Sequence, residues 1–158
     1  MKILIIGGDG YLGWPTVMHF AKKNHQVHLI DDFSKRTIEN ENSVAPLVNI
    51  ETMENRVDSW NSLRVGKKIS FSFGSMVNHR FVYEELKKIK PDHIIHYGEQ
   101  PSAPYSMAGR SQAVFTQSNN IIGSLNLLFG IKKYCPSAHL IKLGTMGIYG
   151  TPNIDIEE

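Results

Sequence analysis

The stretch KILIIGGDGYLG, residues 2–13, places glycines at positions 7, 10 and 13 directly after a short apolar run. The run from Ile3 to Ile6 predicts a buried β-strand, because a strand covered on both faces reads as continuous hydrophobic sequence. Residues 12–24 carry apolar side chains at helical spacing, and Pro15 falls in the first turn, where a helix tolerates proline. A GxxGxxG turn between a strand and a helix is typical of a loop that lies against a diphosphate.

The three glycines have different physical roles in such a turn. Gly7 makes the tight turn, Gly10 lets the backbone approach a pyrophosphate without a Cβ in the way, and Gly13 permits close packing of the helix on the strand. The helix N-terminus then offers free N–H groups and a partial positive charge to phosphate oxygens. The sequence therefore predicts a dinucleotide-binding loop at residues 7–13.

Two carboxylates at the end of the second predicted strand support this prediction. Asp31 and Asp32 lie about 20 residues after the glycines, where a dinucleotide-binding fold places an acid on the adenosine ribose. A carboxylate accepts hydrogen bonds from the ribose diol and repels a 2′-phosphate, so the pair favours NAD over NADP. Arg36 follows closely and is able to hold a 2′-phosphate, which leaves NADP open as the alternative.

The rest of the chain alternates strands with helices, which predicts an α/β fold with a doubly wound parallel sheet. Predicted strands cover residues 2–6, 26–32, 69–75, 92–100 and 139–145, and predicted helices cover residues 12–24, 80–89 and 113–134. Residues 34–68 are polar with scattered apolar positions, so we interpret them as an elaborated connection in which only residues 55–63 are helical. We expect residues 1–158 to form a single domain.

The composition excludes several function classes. Hydrophobic residues make up 41% of the 158 and the net charge is +2, which favours a globular domain and gives no basic patch for nucleic acid. We predict no membrane-spanning segment, because no apolar stretch approaches the roughly 18 residues needed to cross a membrane. We also predict no metal site, because the seven histidines lack the spacing of metal ligands. The single cysteine, Cys135, leaves no internal disulfide. No signal peptide precedes the first strand, so the expected location is the cytoplasm.

Four motifs carry a resemblance to a known family. The GxxGxxG turn, HYGEQ at 96–100, NIIGS at 120–124 and TMGIYG at 145–150 resemble the extended short-chain dehydrogenase/reductase superfamily of nucleotide-sugar enzymes. Within it, the chain resembles the UDP-sulfoquinovose synthase family over essentially all 158 residues. The stretches that carry this closer resemblance are GGDGYLGW, GEQPSAPYSM, NNIIGSLNLLF and KLGTMGIYGTPNIDIEE.

The resemblance implies a Rossmann fold, a bound NAD and a reaction. Members of the family convert UDP-glucose and sulfite into UDP-sulfoquinovose, the donor of a sulfolipid head group. The implied steps are oxidation at C4 of the sugar, loss of water across C5 and C6, sulfite addition and return of the hydride. The expected partners are therefore UDP-glucose, sulfite and a second copy of the chain, and the plastid stroma becomes an alternative location if a transit peptide was removed.

The resemblance also implies site residues. Thr145 would hydrogen-bond the 4-hydroxyl of the sugar and polarise it, which makes it the candidate catalytic residue. The candidate cofactor-binding residues are Gly7, Gly10, Tyr11, Leu12, Gly13, Asp31, Asp32, Arg36, Ser75, Met76, Tyr97, Gly98, Glu99, Asn119 and Leu143. The candidate substrate residues are Gln100, Ser102, Tyr105, Met107, Thr145 and Tyr149. Asn119 and Asn120 would anchor the active-site loop backbone. Structural alternatives stay open: Tyr97 packing on the sheet edge, and Thr145 capping a strand end.

Some positions depart from the family pattern. Pro101 stands where the family has an arginine, which would offer a cationic fork to sulfite. Ile148 replaces a glutamate, and Ser75 replaces an aspartate that contacts the adenine. The family's base is a Tyr-x-x-x-Lys pair on a later helix, and the only match in this sequence, Tyr83–Lys87, falls on a different helix.

Three interpretations follow from the sequence. The first is the NAD-binding portion of a UDP-sulfoquinovose synthase-like enzyme, with the sixth strand, the catalytic helix and the sugar domain expected outside these 158 residues. The second is a truncated, non-catalytic module that binds NAD or a partner chain. The third is another nucleotide-sugar epimerase or dehydratase. In each case we expect the 158 residues alone to be inactive, with an exposed apolar sheet edge after the fifth strand.

Overall fold

A five-stranded parallel sheet forms the centre of the protein, in the strand order β3-β2-β1-β4-β5. The structure is a computed structural model, and it describes residues 1–145 and residue 150. The strands are β1 (Lys2–Ile6), β2 (Gln26–Asp31), β3 (Ile69–Phe73), β4 (His93–His96) and β5 (His139–Lys142). All four neighbouring pairs are parallel. The predicted α/β class is therefore confirmed.

Helices cover both faces of this sheet, so the sheet is doubly wound. The helices are α1 (Gly13–Lys22), α2 (Ser34–Glu41), α3 (Met53–Leu63), α4 (His79–Ile89), α5 (Ala103–Ser106), α6 (Arg110–Gln117) and α7 (Gly123–Tyr134). Helices α1 and α3 pack on one face of the sheet, and α4 and α7 pack on the other. Each connection between parallel strands thus crosses a helical layer, as parallel pairing requires.

The central strand β1 explains why the opening run is continuously apolar. Ile3 and Ile5 are buried against α1 and α3, whereas Leu4 and Ile6 are buried against α4 and α7. Successive side chains of a strand point to opposite faces, so a strand covered by helices on both sides is apolar at successive positions.

Helix α2, Ser34–Glu41, is the main element that the sequence pattern did not predict, in a segment interpreted as an elaborated connection. No residue of α2 is buried, so it has no apolar stripe that periodicity could detect. Its first turn is capped instead by Asp32, whose Oδ1 accepts a hydrogen bond from the Ser34 N–H at 3.0 Å. The short helix α5 was likewise absent from the predicted elements.

The predicted helix over residues 113–134 is interrupted. Helix α6 ends at Gln117, a π-helical turn covers Ser118–Ile122, and α7 begins at Gly123. A π-helical turn inserts one extra residue and rotates the following side chains, and such turns are frequent at functional sites. Here the rotation directs Asn119 and Asn120 toward the loop after β4, as described below.

The strand order places a binding crevice at one end of the sheet. From β1 the chain runs outward to β2 and β3, and then returns to the other side of β1 to form β4 and β5. Ligands of open α/β sheets bind at such a reversal, outside the carboxyl ends of the strands. The glycine turn after β1 and the HYGEQ segment, which begins at the last residue of β4, both lie at this point.

Candidate functional site

A cleft of about 850 Å³ lies at the carboxyl ends of the strands. Predicted cofactor residues that line it are Gly7, Gly10, Tyr11, Leu12, Gly13, Asp31, Asp32, Met76, Tyr97, Gly98, Glu99, Asn119 and Leu143. Predicted substrate residues that line it are Gln100, Ser102 and Thr145. Of the other predicted site residues, Tyr149 lies outside the described residues, and Arg36, Ser75, Tyr105 and Met107 are not among the lining residues.

The glycines of the turn fall into two groups. Gly7 has a positive φ of +81°, and a Cβ there would lie 2.7 Å from the backbone nitrogen of Gly98. A Cβ on Gly13 would lie 2.0 Å from the carbonyl oxygen of Gly7. A Cβ on Gly10 would meet only the Gly7 carbonyl oxygen, at an ordinary 3.5 Å. The fold therefore requires glycine at positions 7 and 13, whereas at position 10 only the space of the cleft would be lost.

The N-terminus of α1 is open to an anion. Its N-cap residue, Leu12, makes no side-chain capping hydrogen bond. Within residues 1–145, the backbone N–H groups of Tyr11, Leu12 and Gly13 have no protein acceptor, whereas Trp14 N–H donates to the Gly10 carbonyl at 3.2 Å. Uncapped donors at a helix N-terminus bind phosphate oxygens well, so the cradle fits a diphosphate.

Asp31 is fixed at the end of β2 by two backbone donors. Asp9 N–H donates to its Oδ2 and Phe33 N–H donates to its Oδ1, both at 2.8 Å. Burial raises the pKa of Asp31 above its ordinary value, and these two hydrogen bonds oppose the rise. Each carboxylate oxygen keeps a second lone pair, so Asp31 is able to accept hydrogen bonds from a ribose diol in the cleft.

Asp9, in the glycine turn, is a site residue that the sequence reasoning missed. Its nearly buried carboxylate accepts from Arg36 Nε at 2.6 Å and Nη2 at 2.7 Å, and from Arg56 Nη1 at 2.7 Å. The Arg56 guanidinium lies 4.2 Å from the ring centroid of Trp14. This cluster of Asp9, Arg36 and Arg56 ties α2 and α3 to the glycine turn. The signal that could have identified Asp9 is an acidic residue at one of the variable positions of the GxxGxxG motif.

The π-helical turn holds the loop after β4 through two amides. Asn120 Oδ1 accepts from Gln100 N–H at 2.8 Å, and Asn120 Nδ2 donates to the Gln100 carbonyl at 3.0 Å. Asn119 Nδ2 donates to the Gly98 carbonyl at 3.1 Å. The two bonds from Asn120 hold the Gln100 backbone on both sides of its Cα, so this part of the cleft is held in one conformation.

A charged cluster lies beside this loop, and the sequence reasoning had placed only one of its members in the site. Glu99 Oε1 lies 3.0 Å from Lys142 Nζ and accepts from Ser124 Oγ at 3.1 Å. It also lies 3.5 Å from Nε2 of the buried His96. Burial lowers the pKa of His96 to about 4, against the raising influence of Glu99. The parallel register pairs His96 with Lys142, which brings both to one carboxylate.

The remaining predicted substrate residues lie around α5. Ser102 caps α5 by accepting from Tyr105 N–H at 3.2 Å. The Tyr105 ring packs edge-on against Phe115, with centroids 6.2 Å apart. Met107 is 84% exposed. Only Ser102 of these three lines the cleft, so the substrate roles of Tyr105 and Met107 stay predictions.

Tyr83–Lys87 does not lie at the cleft. Tyr83 is on α4, and its ring packs against Tyr134 at 5.6 Å between centroids, on the helical layer formed by α4 and α7. Neither residue lines the cleft. The pair is therefore too remote to take a proton from a substrate held there.

The fold, the glycine cradle and the acid at β2 are those of the doubly wound class of α/β proteins, whose members bind dinucleotides at this position. Residues 3–158 match the NAD dependent epimerase/dehydratase family, and the chain belongs to that family. Among curated proteins, the chain is similar to the chloroplastic UDP-sulfoquinovose synthase of Spinacia oleracea, with 47% identity over 99% of this chain. It is 38% identical, over its whole length, to the UDP-sulfoquinovose synthase of Sulfolobus acidocaldarius.

The chain spans 32% and 40% of the length of these two relatives. Solved structures agree on the fold. The UDP-Glc/GlcNAc 4-epimerase of Campylobacter jejuni superposes with a TM-score of 0.71 at 23% identity, over 97% of this chain and 40% of that one. The UDP-glucose 4-epimerase of Bifidobacterium longum, in complex with NAD+ and UDP, gives 0.73 at 18% identity, over 98% and 40%.

The sequence predicted neither a membrane-spanning segment nor a metal site. Among residues 1–145, no helix combines the length and the apolar character needed to cross a membrane. The same residues hold no group of three or more histidine, cysteine, aspartate or glutamate side chains placed to bind a metal ion.

Proposed function

We propose that this chain binds NAD in the cleft and supplies the cofactor-binding part of an enzyme that makes UDP-sulfoquinovose from UDP-glucose and sulfite. The observation that carries the first half is the cradle at residues 7–13, with uncapped N–H donors and a glycine at position 10 that the fold itself does not require. The identity to two UDP-sulfoquinovose synthases supports the second half.

Different groups of described residues would bind different parts of the cofactor. The N–H groups of residues 11–13 would bind the diphosphate, and the Asp31 carboxylate would accept from the adenosine ribose. The nicotinamide end would lie toward Tyr97 and Gly98, whose loop the two asparagines fix. NAD, when bound, accepts and returns a hydride. The protein's part is to hold the reacting carbon and the cofactor at a fixed distance and to keep water out.

Thr145 is the residue we assign to the sugar. It follows β5 and lines the cleft at its nicotinamide end, where a hydroxyl would hydrogen-bond the 4-hydroxyl of the sugar. Pro101 lines the same cleft and brings no charge to it. Since sulfite is an anion, the cation that would receive it has to come from another position, and Lys142 is the lining cation on that side.

Titration of the chain with NADH, followed by nicotinamide fluorescence, tests the first half. The most informative variant is Gly10→Ala, because the added methyl group fits within the protein but enters the space that the diphosphate would occupy. We expect an affinity loss of about 10-fold or more with unchanged thermal unfolding. The control is Gly109→Ala, whose Cβ would meet only the flexible tip of Gln112. Equal NADH affinity in all three proteins would refute the cradle.

Product formation tests the second half. With NAD, UDP-glucose and sulfite we expect the 158 residues alone to form no UDP-sulfoquinovose, because Tyr83–Lys87 is remote from the cleft. Adding the following segment of a related synthase, in trans or as a fusion, is expected to restore product. Formation of a 4-epimer without sulfite incorporation would instead favour the epimerase interpretation.

A further inference from the structure

The Asp9 carboxylate binds Arg36 and Arg56, two arginines that also interact electrostatically with Asp31. Asp9 N–H donates to Asp31, so the glycine turn and the end of β2 are in direct contact. Asp9 is one of the residues that line the cleft at this point. A 2′-phosphate on the adenosine ribose would therefore lie beside Asp9 and would need the same cations.

Arg36 has almost no donor left for such a phosphate. Its Nε and Nη2 donate to both oxygens of Asp9, and this bidentate geometry is the strongest that a guanidinium makes. Nη1 donates to the Ile50 carbonyl at 3.3 Å, and Nη2 also reaches the Glu51 carbonyl at 3.4 Å. All three guanidinium nitrogens are thus engaged by the protein.

Arg56 is also held by Asp9, through a single hydrogen bond. Its Nη1 donates to Asp9 Oδ1, and its guanidinium stacks over Trp14 of α1. Its side chain is 13% exposed, against 30% for Arg36. Asp9 thus stands between two positive charges, much as a bound phosphate would.

We infer that Asp9 is a cofactor-selectivity determinant, an internal anion that takes the place of a 2′-phosphate on Arg36 and Arg56 and so keeps the cleft selective for NAD over NADP. This inference rests on the proposed NAD binding. Asp31 repels a 2′-phosphate directly, whereas Asp9 acts by withholding the cations that would compensate that repulsion. Loss of the Asp9 charge would leave two guanidinium groups facing the ribose.

The test is a pair of fluorescence titrations with NADH and NADPH on the wild-type chain, Asp9→Asn and the control Asp58→Asn, an exposed position on α3. We expect the wild type and the control to prefer NADH. In Asp9→Asn the ratio of NADPH to NADH affinity is expected to rise about 10-fold or more, because charge-assisted bonds to the phosphate become available. Adding Arg36→Gln to Asp9→Asn is expected to cancel that gain.

The outcomes separate this inference from the proposed function. A wild type that binds neither dinucleotide overturns both. A wild type that binds NADH, together with an unchanged affinity ratio in Asp9→Asn, overturns the inference alone. Thermal unfolding is recorded for Asp9→Asn and for a second variant, Asp9→Ser. If neither folds, Asp9 is a structural ion-pair partner and the inference is wrong.

Discussion

His96 is a buried histidine at the carboxyl end of β4, and its surroundings determine its protonation. Its Nδ1 accepts a hydrogen bond from Gly98 N–H at 3.2 Å, so in the neutral ring the proton resides on Nε2. That nitrogen faces Glu99 at 3.5 Å, beyond hydrogen-bond distance. The side chain is 2% exposed, and burial outweighs the attraction of Glu99 in lowering its pKa to about 4.

This lowered pKa predicts a loss of stability on mild acidification. Between pH 6.5 and about 4, an unfolded His96 takes up a proton that the folded ring resists, so the free energy of unfolding falls as the pH falls. The loss from His96 amounts to about 3 kcal/mol at most. The lowered pKa of His28 acts in the same direction. The raised pKa of Asp31 opposes both, since it stabilises the fold at low pH and loses that effect as the pH rises.

Urea unfolding at pH 7.5 and at pH 5 measures the effect. His96→Gln is expected to flatten the pH dependence, whereas His19→Gln, at an exposed position on α1, is expected to leave it unchanged. A pH dependence equally steep in the wild type and in His96→Gln would show that His96 does not carry it.

At the scale of elements, the π-helical turn is the feature that connects helix geometry to the cleft. An uninterrupted helix over residues 113–134 would place consecutive side chains 100° apart, and Asn119 and Asn120 would diverge. The π-helical turn instead lets both reach the loop at residues 98–100. The anchoring role of Asn119 and Asn120 was expected from the sequence. The π-helical turn was not, because helical periodicity continues on both sides of it.

Asn120→Ala tests the function of this turn. The variant removes the two hydrogen bonds to Gln100, at a cost of about 2 kcal/mol in the free energy of unfolding. It is also expected to weaken NADH binding, because the loop under the nicotinamide end is released. Gln117→Ala, one helical turn earlier and exposed, is the matched control for urea unfolding and for the titration. Equal values in the two variants would contradict this account.

At the scale of the whole molecule, apolar surface remains uncovered on one side. Strand β5 is an edge strand, with Ile141 46% exposed. The neighbouring helices α6 and α7 and the π-helical turn between them expose further large apolar side chains, namely Val114, Ile121, Ile122, Leu125, Leu128 and Phe129. Contiguous apolar patches and open sheet edges promote association.

The isolated chain is therefore expected to self-associate as its concentration rises, which light scattering over a concentration series measures. Leu128→Glu, on α7, is expected to shift the population toward the monomer. Leu63→Glu provides the control, because Leu63 is also an exposed helical leucine, at 64% against 51% for Leu128, but lies at the end of α3. A wild-type chain that stays monomeric at every concentration would refute this prediction.

The sequence by itself determined the parts of this protein that depend on short-range pattern. The continuous apolar strand β1, the glycines at positions 7, 10 and 13, and the acid at the end of β2 are local features, and they predict both the sheet and the dinucleotide cleft. Tertiary structure decided the charge clusters. Arg36 and Arg56 reach Asp9 across 27 and 47 positions, and Lys142 meets Glu99 only because β5 pairs with β4. No periodicity encodes such contacts, since they arise when parallel pairing and helix packing bring distant side chains to one edge of the sheet.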